Sequence, residues 1–279
     1  MDKPAGLTSH DVVARARRAL GTRAVGHTGT LDPFATGLLV LLIGRAPRRA
    51  RFVEAQPKVY LAAARLGRRT ETDDLTGAPI GEVVERADLT DAEVRAALDA
   101  FRGPQRQRPP VFSAKHVGGE RSYRLARRGE AVALAEVDVV VHRIELVSYA
   151  WPDLVFRATV SAGTYLRALA RDLGDRLGVG AHLTALRREA IGALRVEDAV
   201  PPEAVTVAAV RPAREVLGHL PVMDLDEAGR TAVLHGRAVA AGGAEGRGGE
   251  VALVAGGELI AVAREVDGWL RPAVVLGTP

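Results

Sequence analysis

Residues 26–37 read GHTGTLDPFATG and combine three glycines, three threonines, a histidine, an aspartate and a proline just before an apolar run. Pro33 restricts the backbone directly after Asp32, while Gly29 and Gly37 permit close approach of the backbone. The pattern predicts a stiff loop that holds one carboxylate. Two interpretations of Asp32 stay open at this point, a functional carboxylate or a cap of the turn, which Asp-Pro often provides.

Several other functional classes are disfavoured by what the chain lacks. The phosphate-loop pattern GxxxxGK[ST] and the nucleophile elbow GxSxG are both absent, which argues against nucleotide triphosphate binding and against a hydrolase triad. The absence of cysteine excludes disulfides, thiolate metal sites and cysteine nucleophiles. The seven histidines are far apart in sequence, so we expect no metal. A single carboxylate would therefore carry any chemistry.

Composition points to a globular protein with an anionic partner. The 279 residues suffice for one large domain or for a main domain with a small appendage, and the net charge is +4. The cations are almost all arginines, whose planar donors suit phosphate and base stacking, although an arginine-biased genome would explain the same bias. The apolar runs are too short to cross a bilayer and no signal peptide is recognisable, so we expect a cytoplasmic protein without membrane contact. The only lysines are Lys3, Lys58 and Lys115.

Helices and strands mix without regular alternation, which predicts an α+β domain around an antiparallel or mixed sheet. Cap residues and apolar spacing predict helices from Thr8 or Ser9 to Gly21, from the capping box at 90–93 to Gly103, and from about 164 to 177. The strand-like runs are residues 38–43, 59–66, 137–144 and 154–160. We predict a main domain at residues 1–218 and a small β-rich domain at residues 219–279.

Two further segments carry charge next to aromatic side chains. Residues 109–129 interleave cations with Phe112, His116 and Tyr123, which suits contact with unpaired RNA bases or, alternatively, a solvated loop and helix face. Residues 161–174 put Tyr165 and Arg167 in the first turn of a helix, where anions collect. An ordinary exposed helix face is the interpretation that spacing alone favours for Arg167.

Five segments, taken together, resemble the bacterial tRNA pseudouridine-55 synthases of the TruB type. They occur in the family's order and are distributed between residues 2 and 188. The segments are DKPAGLTSHDVV (2–13), GHTGTLDPFATGLL (26–39), KVYLAAARLGRRTETDD (58–74), PPVFSAKHVGGERSYRLARRGE (109–130) and SAGTYLRALARDLGDRLGVGAHLTALRR (161–188).

This resemblance implies a pseudouridine synthase fold, with a central mixed, mostly antiparallel sheet flanked by helices. It also implies that the small C-terminal β-rich domain is a PUA-like, RNA-binding domain. The implied activity is isomerisation of a uridine in the T-loop of tRNA, at position 55, to pseudouridine. The implied partner is the T-arm of tRNA; no cofactor, no metal and no obligatory protein partner are expected, and we expect a monomer.

The resemblance also implies roles for individual residues. Asp32 matches the family's essential catalytic aspartate, and Arg167 matches its ion-pair partner, which would keep Asp32 anionic. Tyr60 matches the residue that stacks on the target uracil. The remaining matches are pocket-lining or RNA-holding residues, with a less defined role for the aspartate. They are His27, Asp74, Tyr165 and Leu186.

The chain departs from the family pattern in three places. A lysine is common where Ala162 and His116 stand, and we expect both changes to weaken RNA affinity without affecting Asp32. Family members usually carry a short apolar strand before DKPAGLTS, whereas Asp2 follows Met1 directly here, so we expect an early strand to be missing. Two alternative functions stay open, a tRNA-folding chaperone with incidental modification and a guide-RNA-dependent synthase acting on ribosomal RNA.

Overall fold

The computed structural model describes residues 1–44, 50–113, 115–130, 132–212, 215, 217, 218, 220–242 and 249–276. Its α-helices are α1 (Ser9–Ala19), α2 (Ala50–Glu54), α3 (Asp91–Asp99), α4 (Ser122–Arg127), α5 (Leu166–Arg176) and α6 (Glu227–Leu234). The first ten strands are β1 (Asp2–Lys3), β2 (Val25–Thr28), β3 (Thr36–Leu38), β4 (Val40–Ile43), β5 (Lys58–Leu66), β6 (Arg69–Thr70), β7 (Pro79–Ile80), β8 (Gly103–Gln107), β9 (His116–Val117) and β10 (Glu120–Arg121). The remaining strands are β11 (Val137–Ala150), β12 (Asp153–Val160), β13 (Ala181–Ile191), β14 (Leu194–Arg195), β15 (Val222–Asp224), β16 (Val239–Ala240), β17 (Glu250–Ala255), β18 (Glu258–Val266) and β19 (Trp269–Val275).

One large sheet forms the centre of the molecule. Its strand order is β1-β3-β13-β5-β12-β11-β8, with β14 added to β13. Neighbouring strands run antiparallel except for β3 and β13, which are parallel. Helices α3 and α5 pack on the sheet and bury their apolar faces in the main core. The predicted α+β fold with a mixed, mostly antiparallel sheet is confirmed.

The helix ends follow the local signals in the sequence. The side chain of Thr8 accepts a hydrogen bond from the Asp11 amide, and Asp11 bonds back to the Thr8 amide, so α1 begins at a capping box. Thr90 and Glu93 form the same arrangement at α3. Because each box satisfies amides that the first helical turn leaves free, these helix starts are predictable from four residues.

The predicted strand at residues 38–43 is wrong as a single element. The chain changes partners at Leu39, whose amide donates to the carbonyl of Met1 over 2.8 Å and whose side chain is fully buried. On one side of this point β3 joins the central sheet, and on the other β4 pairs with β2. A continuous apolar run does not reveal such a break, because both halves are buried against different neighbours.

The central strand β13 is the main element that the sequence did not reveal. It pairs with β5 along its length and with β3 at residues Arg187 and Arg188. Its consecutive charged residues Arg187, Arg188 and Glu189 interrupt the apolar alternation that marks a strand. A buried arginine on an interior strand is uncommon, so local pattern argues against the assignment.

The C-terminal residues form a separate five-stranded sheet with the order β15-β17-β18-β19-β16. The β-rich C-terminal unit is therefore confirmed, although it also contains α6, which the sequence analysis did not predict. Val233 of α6 is fully buried against this sheet, and Asp226 caps the helix through the Gly229 amide. The predicted boundary at His219 lies outside the described residues, and the two domain ranges remain predictions.

Within the described ranges, no helix has the length and apolar character needed to span a membrane. The same part of the chain contains no group of three or more histidine or carboxylate side chains arranged to hold a metal ion.

Candidate functional site

The Asp32 loop connects β2 to β3, and its main chain forms hydrogen bonds with the N-terminal segment. The Leu31 amide donates to the hydroxyl of Ser9 over 2.9 Å, and that hydroxyl donates to the Leu31 carbonyl over 3.2 Å. The ammonium group of Lys3, which is fully buried, donates to the Pro33 carbonyl over 3.2 Å. These bonds fix the main chain on both sides of Asp32, so the predicted stiff loop is present.

The carboxylate of Asp32 is paired with Arg167 near the start of α5. Nη2 of Arg167 donates to Oδ1 over 3.1 Å, and Nε lies 3.0 Å from Oδ2. The Arg167 side chain is 5% exposed, whereas 34% of the Asp32 side chain is exposed. The guanidinium therefore lies behind a carboxylate that still faces solvent. The prediction from spacing that Arg167 lies on an exposed helix face is wrong. The contact between Arg167 and Asp32 that the resemblance implies is present.

Arg167 also contacts a second carboxylate and two backbone carbonyls. Nη1 lies 3.3 Å from Oδ2 of Asp74 and donates to the Thr72 carbonyl over 2.9 Å, while Nη2 donates to the Phe112 carbonyl over 2.9 Å. The other oxygen of Asp74 accepts from the Thr72 hydroxyl over 2.7 Å and from the Thr76 amide over 2.9 Å. Both carboxylate oxygens of Asp74 thus have partners within the protein, and the residue is only 3% exposed. This arrangement suits a residue that orients Arg167 rather than one that contacts a ligand.

The next turn of α5 repeats this arrangement. Arg171 lies 3.1 Å from the Asp73 carboxylate and 2.8 Å from that of Asp172, and it donates to the Arg108 carbonyl over 2.9 Å. The two arginines are one helical turn apart, so both reach the 72–74 turn and the 108–112 segment. Helix α5 is therefore attached to the 72–74 turn by ion pairs and to the 108–112 segment by hydrogen bonds to backbone carbonyls.

Burial raises the pKa of the Asp32 carboxyl, and the guanidinium of Arg167 opposes this shift. The nearby Asp74 carboxylate adds to the rise, and the ammonium of Lys3 counters it. The net direction is upward, because the cost of desolvating the charged form exceeds the attraction of the cations. Arg167 favours the anionic form of Asp32 without restoring its ordinary pKa.

The predicted aromatic and apolar site residues lie on the sheet and on the first turn of α5. Tyr60 on β5 is 7% exposed and belongs to the same core cluster as Leu186 on β13 and Leu31 in the loop. Tyr165 is the N-cap residue of α5, and burial raises the pKa of its phenol. Gln107, which the sequence analysis missed, donates to the Tyr165 carbonyl over 3.1 Å and accepts from its amide over 2.9 Å.

His27 lies on β2, five residues before Asp32 and opposite Leu41 of β4. Its Nδ1 is buried and has no hydrogen-bond partner among the described residues. Burial lowers the pKa of this imidazole, and the positive charge of Arg188 acts in the same direction. The ring is therefore a half-buried plane at the start of the loop, and its burial disfavours the protonated form.

The segment at residues 109–129 begins at the Arg167 network and continues onto the surface. Tyr123 of α4 lies beneath the guanidinium groups of Arg124 and Arg127, with centroid distances of 6.0 and 5.7 Å. Arg128 instead forms surface ion pairs with Glu120 and Glu130. Arg124 and Arg127 thus present positive charge beside an aromatic ring, whereas the charge of Arg128 is compensated by neighbouring carboxylates.

An apolar groove of about 210 Å³ lies elsewhere on the surface. It is lined by the end of β3, by β4 and β14, and by the chain that follows β14, including Leu38, Val40, Leu194 and Val200. None of the seven predicted site residues lines it, so the candidate site is the surface around Asp32.

The chain is similar to proteins of one family over most of its length. A model of the TruB family pseudouridylate synthase N-terminal domain matches residues 17–166, and a model of the tRNA pseudouridylate synthase B C-terminal domain matches residues 167–222. The chain is 44% identical to tRNA pseudouridine synthase B of Thermobifida fusca, over 99% of this chain and 96% of that protein. It is 42% identical to the Mycobacterium bovis protein of the same name, over 99% of this chain and 94% of that protein.

Solved structures show the same fold. A chain of a Cbf5-Nop10-Gar1 complex superposes with a TM-score of 0.74 at 26% identity, over 99% of this chain and 82% of the other. A chain from an H/ACA RNP bound to a substrate RNA gives a TM-score of 0.72 at 25% identity, again over 99% and 82%.

Proposed function

The chain belongs to the TruB family of pseudouridylate synthases, and from this premise we propose that it isomerises a uridine in the T-loop of tRNA, at position 55, to pseudouridine. The observation that carries the proposal is the Asp32 carboxylate, which is held by a buried arginine and remains one-third exposed. Its relatives named tRNA pseudouridine synthase B support tRNA as the substrate.

The reaction breaks the N1–C1′ glycosidic bond, rotates the uracil and joins C5 to C1′. The proton lost from C5 is balanced by the proton gained at N1, so the product is an isomer of the substrate. Asp32 acts in its ionised form, as a nucleophile or as a base toward the ribose. Arg167 favours that form, and Asp74 orients Arg167 from behind.

A uridine inside a folded loop must leave its stack before Asp32 can reach it, at a cost of roughly a few kcal/mol. Tyr60, Tyr165 and Leu186 supply the planar and apolar surfaces that offset this cost. His27, a half-buried imidazole at the start of the loop, would hold the displaced loop of the RNA through the exposed part of its ring. Arg124 and Arg127 beside Tyr123 suit phosphate contacts with stacking at the entrance.

We further propose that the enzyme acts as a monomer in the cytoplasm, on tRNA alone and without a guide RNA. The high identity to bacterial tRNA enzymes over nearly the whole chain favours this form over the guide-RNA-dependent one. The PUA-like C-terminal unit, with its five-stranded sheet, would add RNA contacts.

The test is tritium release from transcribed tRNA labelled at uracil C5, because formation of the C5–C1′ bond expels that hydrogen. The assay contains only the protein and tRNA. Asp32→Asn removes the charge and keeps the size, and we expect its rate to fall by at least about 100- to 10,000-fold while tRNA binding persists. A tRNA with cytidine in place of the T-loop uridine should release no label from that position.

Each outcome has a distinct meaning. Release by the wild type and none by Asp32→Asn supports the isomerase with Asp32 as its catalytic residue. Equal release by both proteins contradicts the role of Asp32. Tight tRNA binding without release by the wild type points instead to a tRNA-folding chaperone, and release only after addition of guide RNA and partner proteins points to the guide-dependent class.

A further inference from the structure

Arg188 is a buried cation that has no counter-ion among the described residues. Its side chain lies within the central sheet on β13 and the residue is 1% exposed. Among the described residues it forms no ion pair with a carboxylate, and its side-chain hydrogen bonds all go to neutral oxygen atoms. An uncompensated buried guanidinium is costly, so its hydrogen bonds to neighbouring groups must offset a large desolvation penalty.

The guanidinium bridges the two ends of the Asp32 loop. Nη2 donates to the carbonyl of Gly29 over 2.9 Å, and Nε donates to the carbonyl of Leu38 over 2.7 Å. Asp32 lies between these two points, in the stretch whose middle is held by Ser9 and Lys3. One side chain therefore links the residue directly after β2, where the loop begins, to the last residue of β3, the strand that follows the loop.

The same guanidinium reaches the residue expected to stack on the uracil. Nη1 lies 3.4 Å from the phenol oxygen of Tyr60, a long hydrogen bond, and the guanidinium carbon is 6.0 Å from the Tyr60 ring centroid. Arg188 and Tyr60 are direct cross-strand partners in the β13–β5 pairing. The guanidinium of Arg188 thus links Gly29, Leu38 and Tyr60. It is a rigid, planar group whose donors point in fixed directions.

We propose that Arg188 is a positioning residue that fixes the Asp32 loop relative to Tyr60 and thereby sets the distance between the carboxylate and the stacked uracil. This inference rests on the proposed function. It assigns Arg188 no contact with RNA, because the residue is buried beneath the loop. A misplacement of about 1 Å in a catalytic group can cost about 100-fold in rate, so the effect should fall on the chemical step.

The experiment compares Arg188→Lys and Arg188→Gln with the matched variant Arg187→Gln. Arg187 is the adjacent residue on β13 but pairs with Asp2 on the surface, with 39% of its side chain exposed. Single-turnover tritium release at saturating enzyme reports the chemical step, filter binding reports the tRNA Kd, and thermal melting reports folding. All rates are measured well below the lowest Tm.

We expect Arg188→Lys to lower the single-turnover rate by about 100-fold with an unchanged tRNA Kd, since lysine keeps the charge but cannot bridge both loop ends. Arg187→Gln should retain the wild-type rate. A wild-type rate in Arg188→Lys, or a loss in rate and Kd together that follows the folded fraction, would overturn the positioning role. No release by the wild type would instead refute the proposed function, so the two failures are distinguishable.

The variant Tyr60→Phe keeps the ring and removes the contact with Nη1. In a double-mutant cycle with Arg188→Lys, the losses should be less than additive, because both changes break the same link. Fully additive losses contradict the coupling to Tyr60. If neither Arg188 variant folds, Tyr60→Phe decides alone, and a wild-type single-turnover rate in that variant overturns the proposal.

Discussion

Two buried arginines contact the Asp32 loop and use their charge differently. Arg167 pairs with two carboxylates, those of Asp32 and Asp74, and its charge acts on the reactive group. Arg188 forms hydrogen bonds with two loop carbonyls and a phenol, and its planar geometry acts on the backbone. The comparison separates electrostatic control of a carboxylate from geometric control of the loop that carries it, although both depend on the same residue type.

The largest effect on stability should come from breaking the ion pairs of Arg167. Arg167→Gln leaves the buried Asp74 carboxylate without its cation, and we expect the free energy of unfolding to fall by about 3–5 kcal/mol. Urea denaturation followed by circular dichroism measures this change. The control is Arg157→Gln, which removes a surface contact of 2.8 Å to Glu189 and should cost less than about 1 kcal/mol. Similar losses in the two variants would contradict the importance of burial.

The position of the Asp32 loop can be tested at Gly37, where the chain closely approaches β13. A Cβ atom at Gly37 would lie 2.3 Å from the Arg188 carbonyl oxygen, and the φ of Gly37 is +100°, so Gly37→Ala strains the end of the loop. We expect the free energy of unfolding to drop by about 1–3 kcal/mol or more. Gly26→Ala, where a Cβ would meet nothing within 4 Å, should change it by only about 0.5 kcal/mol. A neutral Gly37→Ala would show that the loop end can move freely away from β13.

A smaller effect should appear in the pH dependence of the reaction. The pKa of Asp32 is raised by burial, and its ionised form is required, so activity is present above that pKa and is lost as the pH falls through it. The acidic limb should therefore lie above pH 3.8, the ordinary value for aspartate. Single-turnover tritium release measured across acidic pH gives its position.

Asp74→Asn sharpens this test, because the Asp74 charge contributes to the raised pKa of Asp32. Removing that charge should move the acidic limb to lower pH. Asp172→Asn, which removes a carboxylate bound to Arg171, serves as the control and should leave the limb in place. If the acidic limb of the pH–rate profile stays in place or moves to higher pH in Asp74→Asn, the loss of Arg167 orientation outweighs the loss of repulsion between the Asp74 and Asp32 carboxylates.

Short-range signals explain which parts of the site could be predicted. Gly29, Pro33 and Gly37 indicated a stiff loop around Asp32, and the capping boxes marked two helix starts, because each depends on residues within a few positions of one another. The resemblance to a family supplied the contact between Arg167 and Asp32, which spacing alone had assigned to an exposed helix face. Gln107 and Arg188 carried no comparable signal, since a polar residue in a strand-forming region is usually exposed.

By itself, then, the sequence determined the α+β class, the stiff loop with its single carboxylate and the β-rich C-terminus, because these follow from local backbone preference and from hydrophobic period. Only the tertiary structure decided which charges are buried and what they touch. Arg167 lies 135 residues from Asp32 in the chain, and Arg188 lies 159 residues from Gly29. The desolvation of a charge and the contacts that offset it come from such distant neighbours, and no local pattern records them.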